Sequence, residues 1–198
     1  MYPPPHFLEN DDAKLATLIR ENAFGALVSV VDGRATATHI PFLYDQEAGV
    51  LLGHVARANP QWGSLDQAQD VLVIFQGPHA YVSPSWYNSP GVPTWNYAIV
   101  HIHGIATTFD APERLHALVS KLTDQYESSN EEPWSGQYNP RMLENIVGIE
   151  IHISSIEGKF KLSQNRPLED REAVSSKLIE IDGSEAQKVA EMMRKNEI

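Results

Sequence analysis

The hydrophobic pattern alternates more often than it repeats with helical period. Phe24-Gly25-Ala26-Leu27-Val28-Ser29-Val30-Val31 is rich in β-forming residues and ends at Asp32-Gly33. An Asp-Gly pair favours a two-residue turn, so the segment to Leu43 is predicted to return as the second arm of a β-hairpin ending near Pro41. Val50–Val55 and Val71–Phe75 predict two further strands, and Gln76-Gly77-Pro78 is expected to interrupt the chain before His79–Ser83. Trp95–Phe109 predicts a long strand. Ile149, Ile151 and Ile153 alternate with Glu150, His152 and Ser154 as a half-buried strand, expected to bend around Gly158 and to run on through Leu162.

Helical spacing is confined to a few segments. Asn10-Asp11-Asp12 offers a capping side chain ahead of Leu15, Leu18 and Ile19, which predicts a helix over 11–21. Asn59-Pro60 opens a short helix through Gln61 and Trp62. Pro112 precedes Leu115, Leu118, Val119 and Leu122 and predicts a longer one, and 140–147 predicts a fourth. Residues 84–94 and 128–136 read as loops, and the proline-rich start as an extended lead-in. From Pro167 the chain is charged and helix-compatible without a strong apolar stripe. Six or seven strands with few, short helices do not fit regular strand–helix alternation. The predicted fold class is mainly β with peripheral helices, an antiparallel barrel over 1–166, with 167–198 a C-terminal helical extension packed on the same domain.

Composition narrows the chemistry. The 198 residues carry 15 Lys+Arg against 26 Asp+Glu, a formal net charge of −11, and 42% are hydrophobic, enough for a core. With no cysteine, disulfides, thiolate nucleophiles, iron–sulfur clusters and Cys-based zinc sites are excluded. The acidic balance opposes phosphate backbones and anionic lipid at long range. The start Met1-Tyr2-Pro3-Pro4-Pro5 lacks the basic and apolar regions of a secretory signal and no apolar run approaches membrane-spanning length, so the expected location is cytoplasmic, with no membrane partner. No Gly-x-Gly-x-x-Gly, phosphate-binding P-loop or Gly-x-Ser-x-Gly elbow occurs. His101-x-His103 has metal-ligand spacing on one strand face but no partner nearby in sequence, so no metal is expected.

Three regions stand out. His39 ends a strand among apolar neighbours, and His54 precedes Arg57, whose guanidinium can approach a phosphate bidentately; hydrogen-bonded strand histidines are the plainer account. Residues 76–97 gather Gln76, His79, Tyr81, Ser83, Trp86, Tyr87, Trp95, Asn96 and Tyr97, which marks either a ligand site or an aromatic interface. Lys159, Lys161 and Arg166 form the densest basic cluster. Lys159 and Lys161 share one strand face, as a solvated face or as a site for an anion.

Read in order, Ala37-Thr38-His39-Ile40-Pro41-Phe42, Gly53-His54-Val55-Ala56-Arg57-Ala58-Asn59-Pro60-Gln61-Trp62, Phe75-Gln76-Gly77-Pro78-His79-Ala80-Tyr81-Val82-Ser83-Pro84-Ser85-Trp86-Tyr87, Val92–Tyr97 and Gly158–Arg166 resemble the PaiB-type proteins, FMN-binding negative transcriptional regulators. The resemblance covers nearly the whole chain. It implies a flavin split barrel related to pyridoxamine-phosphate oxidase, dimeric, with FMN at the subunit interface. It implies that Thr38, His39, Ile40 and Pro41, with His54, Ala56, Arg57 and Asn59, lie along the ribityl and phosphate, Arg57 being the foremost phosphate contact. Gln76, Tyr81 and Ser83 then approach the flavin, Trp86, Trp95 and Asn96 wall its rings or belong to the partner subunit, and Lys159 joins the site from the basic cluster. The related oxidases surround the phosphate with several basic residues, whereas Thr36–Phe42 holds only His39, and no residue is assigned a catalytic role.

Three functions compete. In the first, FMN occupancy or redox state biases a dimeric transcriptional regulator, acting on DNA or, given the charge, through a protein partner or metabolite. The second is a flavin-dependent oxidoreductase on a small molecule. The third is a pocket for another ligand such as a tetrapyrrole, with His39, His54 or His79 as axial imidazole.

Overall fold

A computed structural model describes residues 1–65, 70–134 and 138–195, so the tail of the loop expected over 128–136 and the last three residues of the C-terminal extension lie outside the described residues. The chain divides into two compact units. The first comprises Met1–Leu18, Gln76–Val100 and Glu157–Ile198, and the second Ile19–Phe75 and His101–Ile156.

In chain order, a 3-10 turn at Pro5–Phe7 leads to β1 (Leu8–Glu9), α1 (Asp12–Glu21), β2 (Phe24–Val31), β3 (Arg34–Pro41), β4 (Leu43–Asp45), β5 (Val50–Ala56) and α2 (Gln61–Leu65). β6 (Asp70–Val82), a 3-10 turn at Pro84–Trp86 and β7 (Thr94–Phe109) follow. After them come α3 (Pro112–Glu127), α4 (Pro140–Leu143), β8 (Ile146–Lys161), α5 (Leu168–Glu180) and α6 (Ser184–Lys195). The strands form one sheet in the order β3-β2-β6-β7-β8-β5-β4, with β1 paired to β8.

In the second unit the hairpin forms as expected. Phe24 faces Pro41 and Val31 faces Arg34 across the pair. The turn holds Asp32 at φ 50° and Gly33 at φ 75°, the left-handed backbone that a two-residue hairpin needs and that Gly adopts without steric cost. β2 continues antiparallel onto β6 (Ala26↔Ile74, Val28↔Leu72), and β5 onto β8 from Val50↔His152 to Ala56↔Ile146. Leu27, Val73, Phe75, Ile102, Ile149 and Ile151 are completely buried. β7 and β8 approach so closely that a Cβ at Gly104 would sit 2.4 Å from the His152 carbonyl oxygen. Leu115 and Val119 of α3 pack with Leu143, and Phe109, Tyr138 and Ile146 close the edge of that cluster.

In the first unit, Asp11 caps α1 by accepting from the backbone N–H of Ala13 (2.9 Å) and Lys14 (3.1 Å). Leu8 and Glu9 pair with Lys159 and Gly158, so the lead-in contributes a short strand that its prolines concealed. α5 and α6 bury Val174, Leu178, Val189, Ala190 and Met193.

Several expectations change. β6 runs unbroken through Gln76-Gly77-Pro78. Its register with β2 ends at Ile74, so the missing Pro78 N–H costs that ladder nothing, and a Cβ at Gly77 would meet the Leu18 side chain at 2.9 Å. Gly158 lies inside β8, which runs on extended to Lys161 as expected, and a Cβ at Gly158 would sit 2.3 Å from Leu15. The helix expected over 140–147 stops at Leu143. α6 carries an apolar stripe after all, Ala186, Val189, Ala190 and Met193, built partly of alanine. No helix among the described residues is long and apolar enough to cross a membrane.

Candidate functional site

The site residues expected from the sequence fall in both units. In the second, the centre of the constellation is Gln61, which the sequence did not single out. The start of α2 carries its side chain into the hairpin, where it is completely buried. Its Nε2 donates to Ser29 Oγ (2.9 Å), the Leu27 carbonyl (3.2 Å) and the Thr36 carbonyl (3.3 Å). Its Oε1 accepts from Thr38 Oγ1, which in turn accepts from Asn59 Nδ2 at 3.0 Å, while Asn59 Oδ1 accepts from the Gln61 backbone N–H at 2.9 Å. Thr38 and Asn59 are thus brought together by a network that fastens α2 to β2 and β3.

Arg57 reaches main-chain oxygens. Its Nε donates to the Glu144 carbonyl at 2.7 Å, its Nη2 donates to the Ile146 carbonyl at 3.1 Å, and Nη1 lies 3.6 Å from the Asp110 carboxylate. Its own carbonyl accepts from Trp62 Nε1. This arginine ties the end of β5 to the start of β8. Ala56 closes β5 in the open, Ile40 is buried, and His39 is exposed with its ring 6.0 Å from that of Phe24.

His54 and Pro41 line a cleft of about 360 Å³ beneath α3, walled by Val119, Leu122, Tyr126 and the rings of Trp134 and Tyr138. Among the described residues nothing hydrogen-bonds the buried Nδ1 of His54. Burial pushes the pKa of this imidazole below its ordinary value, so it is neutral at neutral pH.

In the first unit, β6, β7 and β8 present an outward face of aromatic and basic side chains. Trp95 is 53% exposed and Tyr81 44%. The Trp95 ring stands 6.1 Å from both the Tyr81 and the His79 rings. Lys159 Nζ lies 5.5 Å from the centre of the Tyr97 ring, and Lys161 Nζ donates to Thr94 Oγ1 and to the Trp95 carbonyl, each at 2.7 Å. Desolvation by burial, and then the charges of Lys159 and Arg166, hold the Lys161 pKa below the usual lysine range. The positive charge here is therefore mutually repulsive and favours an anion.

Around this face, Gln76 Nε2 lies 3.3 Å from His79 Nδ1, and Ser83 Oγ caps the Pro84–Trp86 turn by accepting from the Ser85 N–H. Asn96 corrects the expectation. Its side chain points inward, is completely buried, and is held by Ser163 Oγ (2.9 Å) and Met193 Sδ (3.4 Å), so it is not at the surface to wall a ring. The loop bearing Trp86 is pinned to α5 by Asp170, another residue the sequence reading passed over. Its carboxylate accepts from the backbone N–H of Asn88 (2.8 Å) and Ser89 (3.1 Å) and from Ser89 Oγ. Arg166 donates to the Pro90 carbonyl and lies over the Tyr87 ring, its Cζ 4.3 Å from the ring centre. The signal was an acidic residue in the first turn after Pro167. Among the described residues no group of His, Asp and Glu is placed to hold a metal ion.

The architecture recurs in solved structures. Over 78% of this chain it superposes on 69% of the flavocytochrome Anf3 from Azotobacter vinelandii, with TM-score 0.63 at 14% identity. It also superposes on 73% of a FAD and heme binding protein from Mycobacterium smegmatis, over 78% of this chain, with TM-score 0.64 at 15% identity. At such identities the likeness concerns the fold, which is that of the flavin-binding split barrels. The sequence relation is closer to "Protease synthase and sporulation protein PAI 2" of Bacillus subtilis, 37% identical over 98% of this chain and 96% of that protein. The family model described as "Putative FMN-binding domain" matches residues 1–155. The chain therefore belongs to the FMN-binding, PaiB-type family of split-barrel proteins.

Proposed function

We propose that the protein is a dimeric regulator of transcription whose state is set by FMN, with the flavin's ring system on the Tyr81–Trp95 face and its phosphate toward Lys159. The observation that carries this placement is the coincidence, on one face of the first unit, of exposed aromatic rings with a cluster of crowded cations. A flat aromatic surface stacks on isoalloxazine, and a lysine paired with a dianionic phosphate relieves its repulsion from its neighbours. Bound FMN supplies reversible electron and hydride acceptance, which the protein orients and tunes. Two of the five Arg57 N–H donors go to carbonyls and its Nη1 lies 3.6 Å from the Asp110 carboxylate, which favours Lys159 as the phosphate partner.

For the dimer, the support is the outward face of the hairpin in the second unit. Ala26 and Val28 alternate with buried positions along β2, Ala35 and Ala37 are exposed on β3, and Phe24 and Val30 are 66% and 49% exposed. An apolar sheet face of this kind is suited to pairing with a second copy. The regulatory role rests on family membership, and the net charge of −11 favours action through a protein partner or metabolite over direct contact with DNA.

Titration of the full chain with FMN and with riboflavin, followed by flavin fluorescence, tests the placement. Trp95→Ala is expected to weaken both ligands about tenfold, and Lys159→Gln to weaken FMN alone. Equal FMN affinity in wild type and both variants refutes it. Light scattering at micromolar concentration tests the dimer, and a monomeric mass refutes it.

A further inference from the structure

The cleft under α3 lies wholly in the second unit, and Tyr126, Trp134 and Tyr138 line it together with Glu127. We propose that it binds the trimethylammonium head of a choline-like small molecule, with the three rings against the cation and Glu127 as its counter-charge. The arrangement of the rings is the first support. The Trp134 and Tyr138 rings stand with centroids 5.3 Å apart and planes 67° apart, which makes them two adjoining walls set at a steep angle. Tyr138 is fixed there, because its Oη pairs with Thr123 Oγ1 and donates to the Val119 carbonyl. Tyr126 and Trp134 are 48% and 49% exposed, so an occupant reaches both side chains. Aromatic faces attract a cation through their quadrupole, and a quaternary ammonium, being weakly hydrated and apolar at its surface, loses least by entering such walls.

The charge in the cleft is the second support. Glu127 Oε2 accepts from the Trp134 backbone N–H at 2.8 Å and from Asn130 Nδ2 at 2.9 Å, and these two bonds, in that order, hold its carboxyl below the usual range. The carboxylate is therefore ionised at neutral pH and fixed beside the Trp134 ring. No Lys or Arg occurs between Leu122 and Pro140, and none lines the cleft among the described residues, so this charge is left for a cationic guest. Hydrogen-bonding capacity narrows the guest further. The Tyr138 and Thr123 hydroxyls are committed to each other, and the His54 Nδ1 is buried out of an occupant's reach. A primary ammonium brings three N–H donors and a hard metal ion needs several oxygen ligands, and apolar walls of Pro41, Val119 and Leu122 serve neither. A trimethylammonium group brings a full charge and no N–H. At about 360 Å³ the cleft has room for that head and a short tail.

Proton NMR titration of the full chain at pH 7.5 uses choline as the probe. Its comparisons are 3,3-dimethyl-1-butanol, the uncharged isostere, and ethanolamine, the primary ammonium. Saturable choline binding is expected, with the methyl resonance displaced upfield by the ring currents and each comparison compound about tenfold weaker. Trp134→Leu and Tyr126→Leu keep an apolar wall but remove a ring face, so each should weaken choline about tenfold, shrink the upfield displacement and leave the isostere unchanged. Glu127→Gln keeps an oxygen for the Trp134 N–H and should weaken choline alone. Circular dichroism checks that each variant is folded. Absence of saturable choline binding, equal affinity for choline and its isostere, or unchanged choline affinity in both ring variants overturns the proposal. The site is independent of where the flavin lies: choline affinity should be the same with and without saturating FMN, and displacement of choline by FMN would give the cleft to the flavin and overturn a separate site.

Discussion

Replacing Gln61 by leucine isolates the network at the base of the hairpin. Leucine keeps the volume and apolar stem of the side chain but removes both polar atoms. Two bonds to hydroxyls are lost, from Nε2 to Ser29 Oγ and from Thr38 Oγ1 to Oε1, together with two weaker second bonds to the Leu27 and Thr36 carbonyls. A neutral hydrogen bond contributes about 1 kcal/mol net, and a buried group left unpaired costs about 1–3 kcal/mol. Ser29 is 4% exposed and loses the partner this network gives it, whereas Thr38 keeps Asn59 and the carbonyls retain a second lone pair for the sheet. The sum is about 3–4 kcal/mol of lost stability. Urea unfolding at pH 7, followed by far-UV circular dichroism, measures it as a lower midpoint at unchanged m-value. A loss below about 1 kcal/mol would refute the reasoning, because the amide would then be replaceable by packing alone.

Two more outcomes follow from side chains whose partners are on view. Arg57→Ala removes charged bonds to two carbonyls, so it is expected to lower stability by about 2 kcal/mol in urea while changing FMN affinity less than about twofold; loss of FMN at wild-type stability would restore the phosphate role. Asp170 is held below the ordinary carboxylate range, chiefly by the Ser89 hydroxyl, then by the backbone N–H groups of Asn88 and Ser89 and by Arg166. A carboxyl whose folded pKa is depressed stabilises the fold above its unfolded pKa near 3.8 and loses that contribution as pH falls through the folded value. Thermal unfolding between pH 7 and pH 3 should therefore show a smaller acid-induced drop in Tm for Asp170→Asn than for wild type, and equal drops would contradict the assignment.

What the sequence disclosed of the fold follows from where local signals and tertiary forces agree. Asp32-Gly33 dictates a hairpin by backbone sterics alone, and the structure pairs its strands from Phe24 to Val31 in the expected register. Gly77 and Pro78 read as a break because both weaken an isolated strand, but here Gly77 lets Leu18 approach and Pro78 lies beyond the β2 partner, a fact of packing that no local window contains. The family resemblance disclosed the flavin-binding fold in full. Individual site residues were less legible. Arg57 and Thr38 have the right chemistry for a phosphate or ribityl group, yet which donors remain free depends on carbonyls and amides that come from distant strands, and Gln61, one of the most heavily bonded side chains, looks in sequence like an ordinary helix-start residue.

The attachment of the Trp86 loop to Asp170 has a kinetic corollary. The hydrogen bonds that fix Asn88 and Ser89 come from a residue about 80 positions later in the chain. During synthesis the aromatic loop leaves the ribosome long before its anchor exists, and it acquires its conformation only when α5 folds back. Maturation of the aromatic surface therefore waits on the synthesis of α5, and a nascent chain that stops short of Asp170 carries the aromatic loop without its anchor.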